Sequence, residues 1–164
     1  EEITNNNKKI KMKSTAYSSV QNVLTVLDNL FGLCTEKYDI HVNISGGIPV
    51  DGPSAGISIA TAIYSAITRS KVDRFVAMTG EIGILGSVKA IGGVKAKISA
   101  ALKAGVKRVI IPKENYDESL HDIGDIDIIP VSHFNDVIRY SLKEDLNGVN
   151  REILLAEGNN NLEN

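Results

Sequence analysis

Apolar residues recur along this chain at two spacings, and the spacing changes from one stretch to the next. Stretches with apolar residues every three or four positions predict helices, because such residues share one helix face. One of these stretches, beginning at Ser54, is apolar around most of its circumference, which predicts a central helix covered on several sides. The four predicted helices span residues 14–32, 54–68, 92–104 and 133–142.

Other stretches read as strands. Residues 38–45 alternate between apolar and polar, which predicts a strand with one buried face. Further apolar runs end in Gly or Pro, as strands commonly do. The predicted strands span 38–45, 75–82, 87–91, 108–111 and 126–131, with a helical turn at 115–121. Because helices and strands mix without strict βαβ alternation, we predict an α+β domain, a layered mixed sheet with packed helices.

The two ends of the chain are polar. Residues 1–13 predict either a short edge strand, with Ile10 and Met12 on one face, or a disordered segment. Residues 143–164 predict a frayed tail. The chain begins at Glu1 rather than at a methionine, which suggests a fragment of a longer protein.

Composition narrows the classes of function. A length of 164 residues suits one domain with a real core. The net charge of -2 and the pI of about 5.9 argue against nucleic-acid binding and against a polybasic membrane partner. No uninterrupted apolar run could span a bilayer. The single cysteine, Cys34, follows a helical apolar run, which predicts a buried or half-buried thiol; it cannot form an intramolecular disulfide, so we expect a reducing, cytoplasmic location.

One motif lies at the start of the second predicted helix. In Asp51-Gly52-Pro53-Ser54-Ala55-Gly56, two glycines and a proline constrain the backbone and leave one hydroxyl, that of Ser54, where a loop becomes a helix. N–H groups at a helix start can stabilise a developing negative charge, which suits nucleophilic chemistry. Serine is also a common helix cap, so a purely structural Ser54 is the alternative interpretation.

A nucleophilic serine needs a base, and histidine is one candidate. His121 and His133 are predicted near the surface as solvated side chains without partners. His41 lies on the polar face of the strand that leads towards Ser54, so a Ser-His pair stays open. The three histidines have no metal-ligand spacing, and the chain has no P-loop pattern for ATP hydrolysis.

A lysine kept neutral by burial is the other candidate base. Lys95 and Lys97 flank the apolar face of the third predicted helix on opposite sides, whereas Lys103 points away from it. Helical periodicity does not choose between the first two. Either one is also consistent with a lysine whose stem lies along the helix edge and whose charge stays in water.

Three motifs, in this order, closely resemble the proteolytic domain of Lon proteases. They are Asp51-Gly52-Pro53-Ser54-Ala55-Gly56, Met78-Thr79-Gly80-Glu81 and Ile91-Gly92-Gly93-Val94-Lys95-Ala96-Lys97. The resemblance continues through Val109-Ile110-Ile111-Pro112-Lys113-Glu114-Asn115 and covers residues 14–142, which we take as the proteolytic domain. The loop Gly46-Gly47-Ile48-Pro49-Val50 is most similar to the bacterial LonB-type branch.

The resemblance implies a serine endopeptidase domain of an ATP-dependent protease that cleaves unfolded or damaged proteins. It makes Ser54 the nucleophile and Lys97, the second lysine of its motif, the general base. It makes Thr79 the hydrogen-bond partner of that lysine, and Asp51 and Gly52 supporting residues of the loop that presents oxyanion donors. It implies no cofactor or metal in this domain, with ATP and Mg²⁺ bound by a separate ATPase module, and a six-membered ring of subunits.

Two other functions stay open from the sequence. The Gly-rich stretch before a buried helix weakly resembles the phosphate loop of GHMP kinases, although the motif of Lys97 would then have no explanation. The chain could also be a non-enzymatic assembly domain in which Ser54 only caps a helix.

Overall fold

The computed structural model describes residues 2–5, 8–11, 15–43 and 52–143, and within them it has four α-helices and seven short strands. The helices are α1 (Thr15–Phe31), α2 (Gly56–Thr68), α3 (Val94–Lys103) and α4 (Phe134–Ser141). The strands are β1 (Glu2–Asn5), β2 (Lys8–Lys11), β3 (Val76–Met78), β4 (Glu81–Ile82), β5 (Val88–Lys89), β6 (Arg108–Pro112) and β7 (Asp127–Val131). Short 3-10 turns span Thr35–Lys37, Pro53–Ala55, Lys113–Asn115 and Glu118–Ile123. The predicted α+β class is confirmed.

A parallel sheet in the order β3-β6-β7 forms the centre of the domain. Two antiparallel pairs accompany it, β1 with β2 and β4 with β5. Successive side chains of a strand point to opposite faces, and β6 has a buried core on each side of it. Ile110 belongs to one core, whereas Val109 and Ile111 belong to the other.

The helices are divided between these two cores. The core around Ile110 contains α1, α2 and α4, and the core around Val109 and Ile111 contains α3 and the turn Glu118–Ile123. Helix α2, which begins just after Ser54, and helix α3, which carries the two candidate lysines, therefore lie in different layers with the sheet between them. Any meeting of Ser54 with a lysine has to occur at an end of the strands.

The helix predictions are confirmed, with small shifts at their ends. The apolar spacing in 133–142 predicts that Phe134, Val137, Ile138 and Ser141 face inward, and all four are buried in α4. The second predicted helix starts as the 3-10 turn Pro53–Ala55 before α2 begins. Helix α2 was expected to be covered on several sides, and this expectation is wrong for one side, because Ala62 and Ala66 are exposed. They line an apolar groove of about 770 Å³ between α2 and the segment 38–43.

Two strand predictions are wrong in part. Residues 38–43 form no strand, and 44–45 lie outside the described residues. Alternation indicates which face is apolar, but a strand also needs a neighbouring backbone, and none of the described strands pairs with this segment. The predicted strand at 75–82 is two strands, β3 and β4, because the backbone of Gly80 between them makes its hydrogen bonds at the start of α2.

Several smaller expectations can also be compared with the fold. Ile10 lies in β2, in register with Ile3 of β1, whereas Met12 lies outside the described residues. The helical turn predicted at 115–121 is observed as two 3-10 turns, Lys113–Asn115 and Glu118–Ile123, which both overlap the predicted range. Cys34 is exposed, in a left-handed conformation (φ 51°) just after α1, so the prediction of a buried or half-buried thiol is wrong.

No helix in the described part of the chain has the length and apolar character needed to cross a membrane.

Gly56, the first residue of α2, tests how closely that helix approaches β4. A Cβ added at Gly56 would lie 2.9 Å from the backbone nitrogen of Ile82 and 3.1 Å from its Cγ2. A Gly→Ala change in a helix ordinarily stabilises it. Here we expect Gly56→Ala to lower the free energy of unfolding by about 1–3 kcal/mol, because backbone cannot give way as a flexible side chain can.

Urea unfolding of Gly56→Ala and of a matched control, Gly92→Ala, would measure this. A Cβ at Gly92 meets no atom within 4 Å, so the control should unfold close to the parent chain. An increase in stability in Gly56→Ala would show that α2 and β4 are not as close as the structure has them.

Candidate functional site

Ser54 lies in the 3-10 turn Pro53–Ala55, where the loop enters α2, and it is half-buried. Gly52 starts this turn with φ 122° and ψ 159°, a backbone conformation that essentially only glycine adopts. The N-cap residue of α2 is Ala55, and no side-chain hydrogen bond caps the helix. The interpretation of Ser54 as a helix cap is therefore wrong.

A corner of the backbone at Thr79 and Gly80 holds the Ser54 turn. Gly80 donates its N–H to the Ser54 carbonyl oxygen (2.9 Å), and its own carbonyl accepts from the N–H of Ile57 (3.2 Å). The same Ser54 carbonyl accepts from the hydroxyl of Thr79 (3.2 Å). Two donors from consecutive residues thus fix the carbonyl of the candidate nucleophile.

Lys97 reaches this corner from the opposite layer of the fold. Its Nζ donates to Thr79 Oγ1 at 3.2 Å, and the lysine side chain is half-buried. Thr79 is only 7 % exposed, so both of its hydrogen bonds are made largely out of solvent. Lys97 belongs to α3, whereas Thr79 directly follows β3 of the central sheet.

Lys95 points to a different part of the molecule. It is exposed, and its Nζ donates to Ser119 Oγ at 3.1 Å. Hydrogen bonds from the hydroxyl and the backbone N–H of Ser119 lower the pKa of Asp117, and the positive charge of Lys95 adds to that effect. Of the two lysines that periodicity left undecided, Lys97 is the one that contacts Thr79.

The hydroxyl of Thr79 joins Lys97 to Ser54 by a definite order of donors and acceptors. A threonine hydroxyl has one proton and two lone pairs. Its proton is given to the Ser54 carbonyl, so it can only accept from the lysine amine. If the amine is neutral, one of its two N–H bonds makes this contact and its lone pair stays available for another proton.

The remaining predicted site residues have different outcomes. Asp51 lies outside the described residues, so its supporting role stays a prediction. His41 is exposed and lines the groove beside α2, and within the described ranges it makes no hydrogen bond with Ser54. His121 and His133 are not free, contrary to prediction: His121 Nε2 pairs with the hydroxyl of Tyr116 (3.0 Å), and His133 Nε2 pairs with the Leu85 carbonyl (3.1 Å).

One side chain near the site has a role that motif spacing did not assign. Asn115 makes two hydrogen bonds to the backbone of Ile91, just before Gly92-Gly93 and α3. Its place in the sequence gives a signal that could have found it. An asparagine soon after a buried strand is well suited to pairing with a nearby loop backbone.

Comparison with known proteins identifies the family. Residues 6–144 match the model of the Lon protease (S16) C-terminal proteolytic domain. The chain belongs to this family. Within it, the chain is 52 % identical over 138 residues to Lon protease 2 of Bacillus subtilis, covering 84 % of this chain and 25 % of that protein. It is 42 % identical over 138 residues to the archaeal Lon protease of Archaeoglobus fulgidus, covering 82 % and 22 %.

Other bacterial Lon proteases match over a shorter stretch. The Lon protease of Campylobacter concisus is 48 % identical over 112 residues, which cover 65 % of this chain and 14 % of that protein. The chain therefore spans a quarter or less of the length of these relatives. Membership of this family favours a peptidase domain over the kinase-like and non-enzymatic alternatives.

Among the described residues, no three His, Cys, Asp or Glu side chains come together as metal ligands would.

The bridging role of the Thr79 hydroxyl can be tested by removing it alone. Thr79→Val keeps the shape of the side chain and loses both hydrogen bonds. We expect it to lower kcat for peptide cleavage by about 10–100-fold, because a misplacement of about 1 Å in a catalytic group can cost two orders of magnitude. Thr79→Ser retains the hydroxyl and should stay within a few-fold of the parent protein.

Steady-state cleavage of a fluorogenic peptide by the parent protein and both variants measures this. If Thr79→Val and Thr79→Ser were equally active, the hydroxyl would not orient the site.

Proposed function

We propose that this Lon-type domain is a serine endopeptidase in which Ser54 is the nucleophile and Lys97 is its general base. The observation that carries the proposal is the bridge from Lys97 Nζ through Thr79 Oγ1 to the Ser54 carbonyl. It holds an amine close to the residue whose hydroxyl has to lose a proton. A base must be held near its nucleophile before either can act.

The chemistry follows from the two side chains. Neutral Lys97 accepts the hydroxyl proton as Ser54 Oγ attacks a peptide carbonyl, and a tetrahedral intermediate with a negative oxygen forms. The lysine, now charged, gives its proton to the leaving amine, which departs and leaves an acyl-enzyme. Water attacks that ester while Lys97 takes its proton, and Lys97 then returns the proton to Ser54 Oγ as the ester bond breaks and the acid product leaves.

Backbone N–H groups near Ser54 are suited to stabilise the oxyanion. Pro53 has no N–H, so the donors available in this turn are those of its neighbours, among them Gly52 and Ser54. Gly52 adopts a conformation that other residues could not hold without strain. We propose supporting roles for Gly52, Asp51 and Thr79 on this basis.

The whole protein would be larger than this chain, because the chain spans a quarter or less of its relatives. We propose that residues 14–142 act as the proteolytic domain of an ATP-dependent protease of the LonB type. Its substrates would be unfolded or damaged proteins that enter as extended peptides and pair with a strand edge. ATP and Mg²⁺ would act in a separate module, and the protein would work in the cytoplasm as a six-membered ring.

Replacing the nucleophile tests the proposal most directly. Ser54→Ala, made in the protein as the cell produces it, should lower peptide cleavage by at least about 10³-fold, because loss of a catalytic serine removes the covalent route. Ser54 is half-buried and makes its described hydrogen bonds through the backbone, so the thermal unfolding midpoint should be unchanged. Cleavage retained in purified Ser54→Ala would rule out Ser54 as the nucleophile.

The two lysines of α3 provide a matched pair of variants for the base. Lys97→Met should inactivate the enzyme nearly as completely as loss of the serine, because Ser54 then has no proton acceptor. Lys95→Met makes the same chemical change two positions away on an exposed side chain and should leave kcat within a few-fold. Cleavage rates of the two variants with one fluorogenic peptide measure the difference. An inactive Lys95→Met together with an active Lys97→Met would assign the base to Lys95.

A further inference from the structure

We propose that Asn115 is a positioning residue for Lys97, and this rests on the proposed function of Lys97 as the base. The Asn115 side chain holds Ile91 at both of its backbone polar groups. Oδ1 accepts from the Ile91 N–H at 2.8 Å, and Nδ2 donates to the Ile91 carbonyl at 2.9 Å. Two bonds in opposite directions fix both the distance and the orientation of that segment, as a neighbouring strand would.

The segment between Ile91 and α3 needs such a restraint. It consists of Gly92 and Gly93, residues with the largest backbone freedom, and a Cβ at either one would meet nothing within 4 Å. Gly93 is the N-cap of α3 in a left-handed conformation (φ 69°), without a side-chain cap. The first turn of the helix is closed by the bond from the Lys97 N–H to the Gly93 carbonyl, at 3.2 Å.

Core packing alone leaves the exact place of Lys97 less defined. Ile98 is fully buried against Val109 and Ile111, which holds the middle of α3 against the sheet. Apolar contact is non-directional, however, and permits small rotations and shifts along the helix axis. The amine of Lys97 lies at the end of a four-carbon chain and needs the helix start to be fixed as well.

The place of Asn115 in the fold connects it to the other partner of Lys97. Asn115 ends the turn Lys113–Asn115, which directly follows β6. Strand β6 also fixes Thr79, because the Ile110 carbonyl accepts from the Thr79 N–H at 3.1 Å. Strand β6 therefore positions the acceptor, Thr79, directly and the donor, Lys97, through Asn115 and Ile91. Loss of Asn115 should separate the two.

The test uses Asn115→Leu, which keeps the approximate size and removes both hydrogen bonds, in the protein as the cell produces it. Ser119→Ala is the matched control. It removes the Lys95–Ser119 bond, which spans 24 residues like the Asn115–Ile91 bonds and links α3 itself to the segment after β6. We expect kcat to fall by about 10–100-fold in Asn115→Leu, with KM nearly unchanged, and no change in the control.

Labelling by a fluorophosphonate, which reacts with activated serines, separates positioning from folding. In Asn115→Leu the final extent of Ser54 labelling should equal that of the parent protein, while its rate falls in parallel with kcat. A lower final extent at the parent rate would mean that Asn115 only keeps the domain folded, which would overturn the proposal. If Asn115→Leu does not fold, Asn115→Asp, which keeps the acceptor for the Ile91 N–H, carries the same test.

Ser54→Ala, measured in parallel, keeps the two hypotheses apart. If it remains active, the proposed function fails whatever Asn115 does. If it is inactive and Asn115→Leu cleaves and labels at the parent rate, only the role of Asn115 is disproved.

Discussion

The backbone corner at Thr79 and Gly80 is the constraint on which the rest of the site depends. Where a buried backbone segment leaves a sheet, its N–H and carbonyl groups need new hydrogen-bond partners. Here the Thr79 N–H bonds to Ile110 of the central strand β6, and the N–H and carbonyl of Gly80 bond to Ser54 and Ile57 at the start of α2. The corner therefore fastens one helix layer to the sheet. The hydroxyl of Thr79 adds the contact to Lys97 from the other layer.

This corner also explains where the site lies. The strands β3, β6 and β7 are parallel, and functional groups in such sheets collect beyond the carboxyl ends of the strands. Thr79 is the first residue after β3, so a helix from either face can reach it. Gly80 has no room for a side chain, since an added Cβ would lie 2.9 Å from Val88 Cγ1 and 3.2 Å from Ile57 Cδ1. Close packing at Gly80 keeps the start of α2 within hydrogen-bonding distance of the corner.

The spacing of apolar residues predicted the helices of this fold, because a helix depends mainly on the residues within it. The helices follow from apolar spacing, and the buried face of α4 was predicted residue by residue. Helical periodicity could not choose between Lys95 and Lys97, because both flank the apolar face of α3. Their tertiary contacts distinguish them, since only Lys97 bonds to Thr79. The strand predicted at 75–82 fails for a similar reason: its apolar run is typical of a strand, but Gly80 makes its backbone hydrogen bonds with Ser54 and Ile57 instead of with a neighbouring strand. The order of the motifs gave the resemblance to Lon proteases. The sequence could show that Asn115 follows a buried strand, but only the fold shows that it pairs with Ile91.

The order of donors and acceptors at Thr79 suits a base that changes charge during each cycle. A hydroxyl whose proton is committed to the Ser54 carbonyl can accept a hydrogen bond both from a neutral amine and from an ammonium group. In the proposed mechanism Lys97 takes up the serine proton and releases it again, and this contact persists in both states. Such a contact needs no reorganisation when the charge moves, which is the property expected of a preorganised catalytic group. A carboxylate in the place of Thr79 would instead favour the charged lysine and oppose its return to the neutral form.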